Sequence, residues 1–213
     1  MNKKAALELS ITAIVVLIIA ITVLGLGIGF IKKQFGGATT IFSEEFQRIK
    51  LQLREQVKTG ELLVFSTPEE VSIGKPLGMV IGVRNTAQNP DKGRVCFRVE
   101  IRCIKPFTPD SYCDSRNQQN NVAVGGYDSE TGDPVKGDRS WFKTILGEFD
   151  LKNFEGEVYD AELLVRGVKP DSYSMEINAY KEPTDLACAD QQFGTNYEQT
   201  ALYQSKSFIL KVE

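Results

Sequence analysis

The residues best equipped for chemistry in this chain are four cysteines: Cys96, Cys103, Cys113 and Cys188. An even number confined to one region suits two disulfides formed in an oxidising compartment. A four-thiolate zinc site is the competing chemistry, but no pair has the two-residue spacing that lets one turn present both sulfurs to a metal. Disulfides are expected, in any of three pairings, and an oxidised cysteine cannot serve as a nucleophile. The sequence contains no histidine, which removes the commonest general base and the commonest neutral metal ligand. Carboxylates are the remaining candidates. Asp110, Asp114, Asp128, Glu130, Asp133 and Asp138 gather between residues 105 and 139. The run DSETGDPVKGD opens with Asp128 and Glu130 but lacks the spacing and closing bidentate Glu of a calcium loop. These acids read as a solvated turn, with no metal or cofactor assigned and no carboxylate pair singled out for glycoside chemistry. Gly25, Gly27 and Gly29 form a G-x-G-x-G string, yet no strand precedes it, so close helix packing or local unwinding is its expected role. No catalytic residues are assigned and no enzyme is expected.

With 25 basic against 28 acidic residues the net charge is −3. No global field favours nucleic acid, which is not an expected partner.

The elements that would position these residues fall into a short N-terminal part and a longer C-terminal one. Leu9 to Ile31 runs without a charge, long enough to cross a bilayer as a helix and longer than the apolar core of an ordinary secretory signal. Lys3 and Lys4 precede it and Lys32 and Lys33 follow, so loop charge leaves its orientation open. The cysteines place the C-terminal domain outside. Glu8 sits at the edge of the apolar run, where an interfacial position is expected. After Gly36 and Gly37, Ser43 offers a helix cap, and Phe42, Phe46, Ile49, Leu53 and Val57 recur at steps of four, three, four and four, one apolar stripe ending near Gly60. That stripe needs cover, either from its own β domain or from neighbouring copies.

From Glu61 the helical period gives way to short alternating runs. ELLVFS, LGMVIGVRN, GRVCFRVEIRCI, WFKTILGEF, YDAELLVRGV, YSMEINAY and SFILKVE make seven strands, the number of a small immunoglobulin-like sandwich. In the third, Val95, Phe97, Val99, Ile101 and Cys103 share an inward face, while Arg94, Cys96, Arg98, Glu100 and Arg102 share an outward, wet one. That parity forbids a Cys96–Cys103 bond. VKPDSYSMEINAY resembles the tyrosine corner of immunoglobulin-like and fibronectin-like domains, with the Tyr173 phenol bonding back to nearby backbone. Trp141, the only tryptophan, is expected in the core. Residues 105–139 read as one long polar loop and the best guess for an adhesive or ligand contact.

The start, KKAALELSITAIVVLIIAITVLGLG, resembles the class III signal peptide of archaeal type IV pilins and pilin-like proteins. The resemblance covers about the first quarter of the chain. It implies a leader over 1–5 with Lys3 and Lys4 as its basic pair, and cleavage between Ala5 and Ala6 by a prepilin peptidase-like enzyme. Residues 6–35 then form the filament-core or transmembrane helix, in which Glu8, Leu9, Ile14, Leu17, Ile21, Gly25, Gly27 and Gly29 serve assembly. The expectation is an α+β chain: a long N-terminal apolar helix, an amphipathic helical stalk over 36–60, and an all-β immunoglobulin-like sandwich over 61–213. Function follows as a structural subunit of a cell-surface filament, self-associating through its apolar helix after passing through the cytoplasmic membrane. The alternative is a single-pass anchored surface protein with an extracytoplasmic binding domain.

Overall fold

The computed structural model describes residues 13–17, 19–22, 44–86, 93–144, 148–181, 188 and 201–213. Two compact units emerge, Met1–Gln47 and Arg48–Glu213.

In the first unit the described helical residues are 13–17 and 19–22 (α1) and the opening turn of a second helix. No helix among the described residues is long and apolar enough to cross a membrane. The α+β expectation is thereby corrected: the described chain is mostly β, and a long N-terminal apolar helix is not part of it. Charge-free length measures hydrophobicity and not helix: Val15, Val16, Ile19 and Ile21 of α1 are β-branched, weak helix formers, and their side chains stand exposed.

The second unit opens with the rest of α2 (residues 44–59). Among the described residues ten strands follow: β1 (Leu63–Phe65), β2 (Glu70–Val71), β3 (Leu77–Arg84), β4 (Arg94–Pro106), β5 (Val122–Gly126), β6 (Phe142–Thr144), β7 (Glu148–Lys152), β8 (Gly156–Leu163), β9 (Asp171–Lys181) and β10 (Ala201–Val212). One sheet runs β1-β3-β8-β6; the other runs β2-β10-β9-β4-β5, with β7 also paired to β4. Met79, Ile81, Ala161 and Leu163 of the first sheet share one buried core with Val99, Ile101, Ile177 and Leu210 of the second, the signature of a two-sheet sandwich.

All seven expected strand segments carry strand, and β2 and β5 are additional. WFKTILGEF, read as one strand, divides: β6 pairs β8 in one sheet and β7 pairs β4 in the other. Trp141, immediately before β6, is tied to both sheets. Its N–H donates to Val124 O (2.8 Å), and its carbonyl accepts from Leu164 N–H (2.6 Å). Its indole meets Tyr173 edge-on at 5.3 Å, and the Tyr173 hydroxyl donates to Lys169 O (2.7 Å). Burial first, then the Asp171 charge, pushes that phenol up to about 12.

The α2 stripe finds its cover on its own domain. Leu53 and Val57 are buried, and Val57 seats over Gly82 and Gly156, where an added Cβ would meet Val57 Cγ2 at 3.0 Å and Val57 Cγ1 at 2.0 Å. The two glycines thus make the groove that admits the helix. Lys50 pairs with Asp160 (2.7 Å), and Arg84 donates to the carbonyls of Val57 and Lys58, supplying cation and donors at the helix C-terminus where the dipole favours both.

Candidate functional site

The outer face of β4 carries the most concentrated polar chemistry in the molecule. Arg98, Glu100 and Arg102 alternate along it, as period-2 geometry requires. The expected wet face is corrected, because Arg98 is 4 % exposed, Glu100 0 % and Arg102 7 %. Their cover comes from the chain after β5. Gly126 has φ +75°, and a Cβ there would lie 1.8 Å from Val99 O, so glycine lets the backbone turn back across the strand. Tyr127 N–H then donates to Val99 O (3.0 Å), and the Tyr127 ring lies over the Arg98 guanidinium at 4.2 Å.

Glu100 is the hub. One carboxylate oxygen accepts from Arg102 Nη2 (3.0 Å) and from Ser129 N–H (2.8 Å). The other accepts from Asn178 Nδ2 and Tyr180 OH, both at 3.3 Å. Arg102 also donates to Asn121 O and to Glu130, each at 2.8 Å, and stands 3.6 Å from Asp128. Arg139 closes the set on Asp128 at 2.8 Å. Burial opposes the Arg102 charge, but Glu100 and Glu130 outweigh it and raise the guanidinium pKa. Asp128 and Glu130, expected in a solvated turn, are therefore engaged by arginines, and Asp128 is buried. Among the described residues no group of three or more acidic or cysteine side chains is placed to hold a metal ion.

Within 105–139, read as one loop, lie the end of β4, all of β5 and a 3₁₀ turn at Gly137–Arg139. The cysteines pair as Cys96–Cys188 and Cys103–Cys113. The Cys96–Cys103 bond that strand parity forbids is absent, and no described cysteine is free. Asp114 holds the turn after Cys113: burial works against its charge, and hydrogen bonds from Asn117 and the Arg116 backbone outweigh it, lowering its pKa.

Beside the covered face opens a cleft of about 660 Å³ between β6 and the 134–137 segment. Its walls include Tyr127, Lys136, Phe142, Lys143, Glu148, Tyr159 and Arg166. The Tyr127 hydroxyl donates to Glu148, and Glu148 stands 3.2 Å from Arg98, so the ionic face and the cleft share a wall. Burial first, then Glu148, pushes the Tyr127 phenol up to about 12; burial and Glu157 do the same to Tyr159. The sequence reading did not find this cleft. Its residues come from β5, β6, β7, β8 and the connections after β5 and β8, and only their joint placement makes it.

Of the residues assigned to processing and assembly, Lys3, Lys4, Ala5, Ala6, Glu8, Leu9, Gly25, Gly27 and Gly29 lie outside the described residues. Ile14, Leu17 and Ile21 belong to α1 and are 53 %, 60 % and 61 % exposed. Phe42 of the amphipathic stripe is also outside the described residues.

No protein-family model matches the chain, and no curated protein matches it. Among solved structures it is similar to the ASH/PapD-like domain 7 of human CEP192, at 12 % identity over 71 % of this chain and 83 % of that one, with TM-score 0.32. It is also similar to a mutant β-glucosidase from Listeria innocua in complex with laminaribiose, at 14 % identity over 71 % of this chain but 16 % of that one, with TM-score 0.35. A third match is the Pseudomonas fluorescens alkylpurine DNA glycosylase AlkC bound to DNA, at 13 % identity over 72 % of this chain and 31 % of that one, with TM-score 0.34. Scores this low carry no argument about fold or activity.

Proposed function

We propose that this chain is a structural subunit of an archaeal type IV pilin-like surface filament, assembled through its apolar segment 9–31 and displaying an immunoglobulin-like head. The observation that carries the reading is the N-terminus: a basic pair, Lys3 and Lys4, then Glu8 at the edge of an uncharged apolar stretch from Leu9 to Ile31, joined to a disulfide-stapled β domain. Disulfides favour a place outside the cytoplasm. Exposed apolar side chains such as Ile14, Leu17 and Ile21 need cover in water. Equivalent segments of neighbouring copies supply it, and a repeated contact that does not close on itself yields a fibre. The buried Tyr173 phenol returning to Lys169 O supports an immunoglobulin-like description of the head.

N-terminal sequencing of the protein sheared from cells tests this. Chains beginning at Ala6 in the filament fraction support it. Chains beginning at Met1 and found only in detergent extracts sink it, and leave the second reading, a membrane-held surface protein, which the cleft beside Tyr127 favours because such a concavity suits a binding module.

A further inference from the structure

The cleft has a charge balance unlike that of the chain. The molecule as a whole is negative, at −3, yet three cations, Lys136, Lys143 and Arg166, line the cleft against one carboxylate, Glu148. That carboxylate is already matched by Arg98 at 3.2 Å. Arg166 holds its guanidinium on Gly137 O (3.0 Å), which fixes it at the wall. Exposed Lys143 shares its charge with half-buried Glu162 at 3.2 Å, and Lys136 has no ion pair among the described residues. A concave wall of one sign raises the local concentration of oppositely charged ligands.

The remaining lining is amphipathic. Phe142 and Leu164 give apolar floor. Tyr159 spends its hydroxyl proton on Glu157, so its oxygen can accept, as a sugar hydroxyl donor requires, and the Tyr127 ring adds aromatic wall. The volume, about 660 Å³, falls inside the range of roughly 300 to 1,000 Å³ typical of small-ligand sites.

We propose that this cleft binds a carboxylate-bearing oligosaccharide, with Lys136, Lys143 and Arg166 meeting the carboxylates, the Tyr159 oxygen accepting from a ring hydroxyl and Phe142 and the Tyr127 ring giving apolar surface to the sugar face. The proposal stands whether the domain rides on a filament or at a membrane.

Calorimetric titration of the full chain, held in an uncharged detergent without a sugar headgroup, tests it with digalacturonate as the probe. The expected result is one-to-one binding that weakens with added salt and falls about tenfold or more in the double variant Lys136→Gln and Lys143→Gln, as loss of two charge-assisted contacts requires. The single variant Lys143→Arg keeps the charge and should retain binding, which separates a lost contact from a damaged fold. Three results overturn the proposal: no heat with digalacturonate, equal affinity in the double variant, or equal affinity for an uncharged disaccharide. Tighter binding of tetraglutamate that displaces digalacturonate also overturns it, and assigns the cleft to an acidic peptide.

Discussion

Replacing Glu100 by Gln tests whether the ionic face is a dry, fully engaged network. The side chains are nearly isosteric, so packing is kept while the charge and half of the acceptor capacity are lost. Glu100 accepts two bonds at each carboxylate oxygen, from Arg102 and Ser129 on one side and from Asn178 and Tyr180 on the other. Whichever way a Gln amide turns, its NH₂ faces two donors. Two hydrogen bonds are therefore lost, and Arg102 loses its hydrogen-bonded buried counter-charge while keeping Glu130 at 2.8 Å and Asp128 at 3.6 Å. Removing one partner of a buried pair costs about 3–5 kcal/mol. The retained Glu130 contact is mostly exposed on its acid side and offsets little of that. The expected loss in urea unfolding, with both disulfides oxidised, is thus about 3 kcal/mol or more. Hydrogen exchange should show the Ser129 amide losing protection first, because its acceptor is the substituted group. A loss below about 1 kcal/mol, of the size seen for exposed pairs, would refute the reasoning and mean that water reaches Glu100.

Three further outcomes follow from the same structure. Gly156→Ala places a Cβ 2.0 Å from Val57 Cγ1, so the C-terminal half of α2 should lift from the sheet and stability should fall by about 1–3 kcal/mol in thermal or urea unfolding; an unchanged midpoint would mean that α2 does not pack there. The disulfides close loops of sequence separation 92 and 10, so chain entropy makes Cys96→Ser/Cys188→Ser cost about 4.6 kcal/mol against about 2.7 for Cys103→Ser/Cys113→Ser, and the reverse order would mean native packing around buried Cys103 and Cys113 outweighs loop length. Tyr127, Tyr159 and Tyr173 have pKa values raised from 10.0 to about 12, chiefly by burial. Their contribution to stability is full below pH 10 and is lost as pH rises through about 12; phenolate absorbance that develops for all tyrosines together near 10, with the fold intact, would contradict this.

The β part of the fold was legible because strand alternation is a local signal. Val95 to Cys103 pointed inward from pattern alone, and the same parity separated Cys96 from Cys103. The division of WFKTILGEF between two sheets was not legible. Phe142 and Phe149 are both core residues, so hydrophobicity is the same whether the chain continues one strand or changes sheets at a corner. The N-terminal helix was over-read because apolar length is a statement about hydrophobicity and not about packing, and the described α1 residues Ile14, Leu17 and Ile21 stand exposed.

The ionic face shows where sequence reasoning ran out and what could have carried it further. Alternation predicts that a strand has two faces, but only the chain that folds over the second face decides whether it is wet. Here that chain is residues 126–139, some 26 to 39 positions downstream of Glu100, and its Asp128, Glu130 and Arg139 complement Arg102 and one another. A usable signal was present: a carboxylate set between two arginines at i−2 and i+2 on one strand face, followed by an acidic run and a glycine able to turn back over the strand. Charges in that density on a sheet need either water or counter-charges. The structure supplies counter-charges, and in doing so it fixes Tyr127 against Arg98 and Glu148. The same covering segment carries Lys136 to the cleft, so the buried network that holds the segment down also sets the shape of the surface beside it.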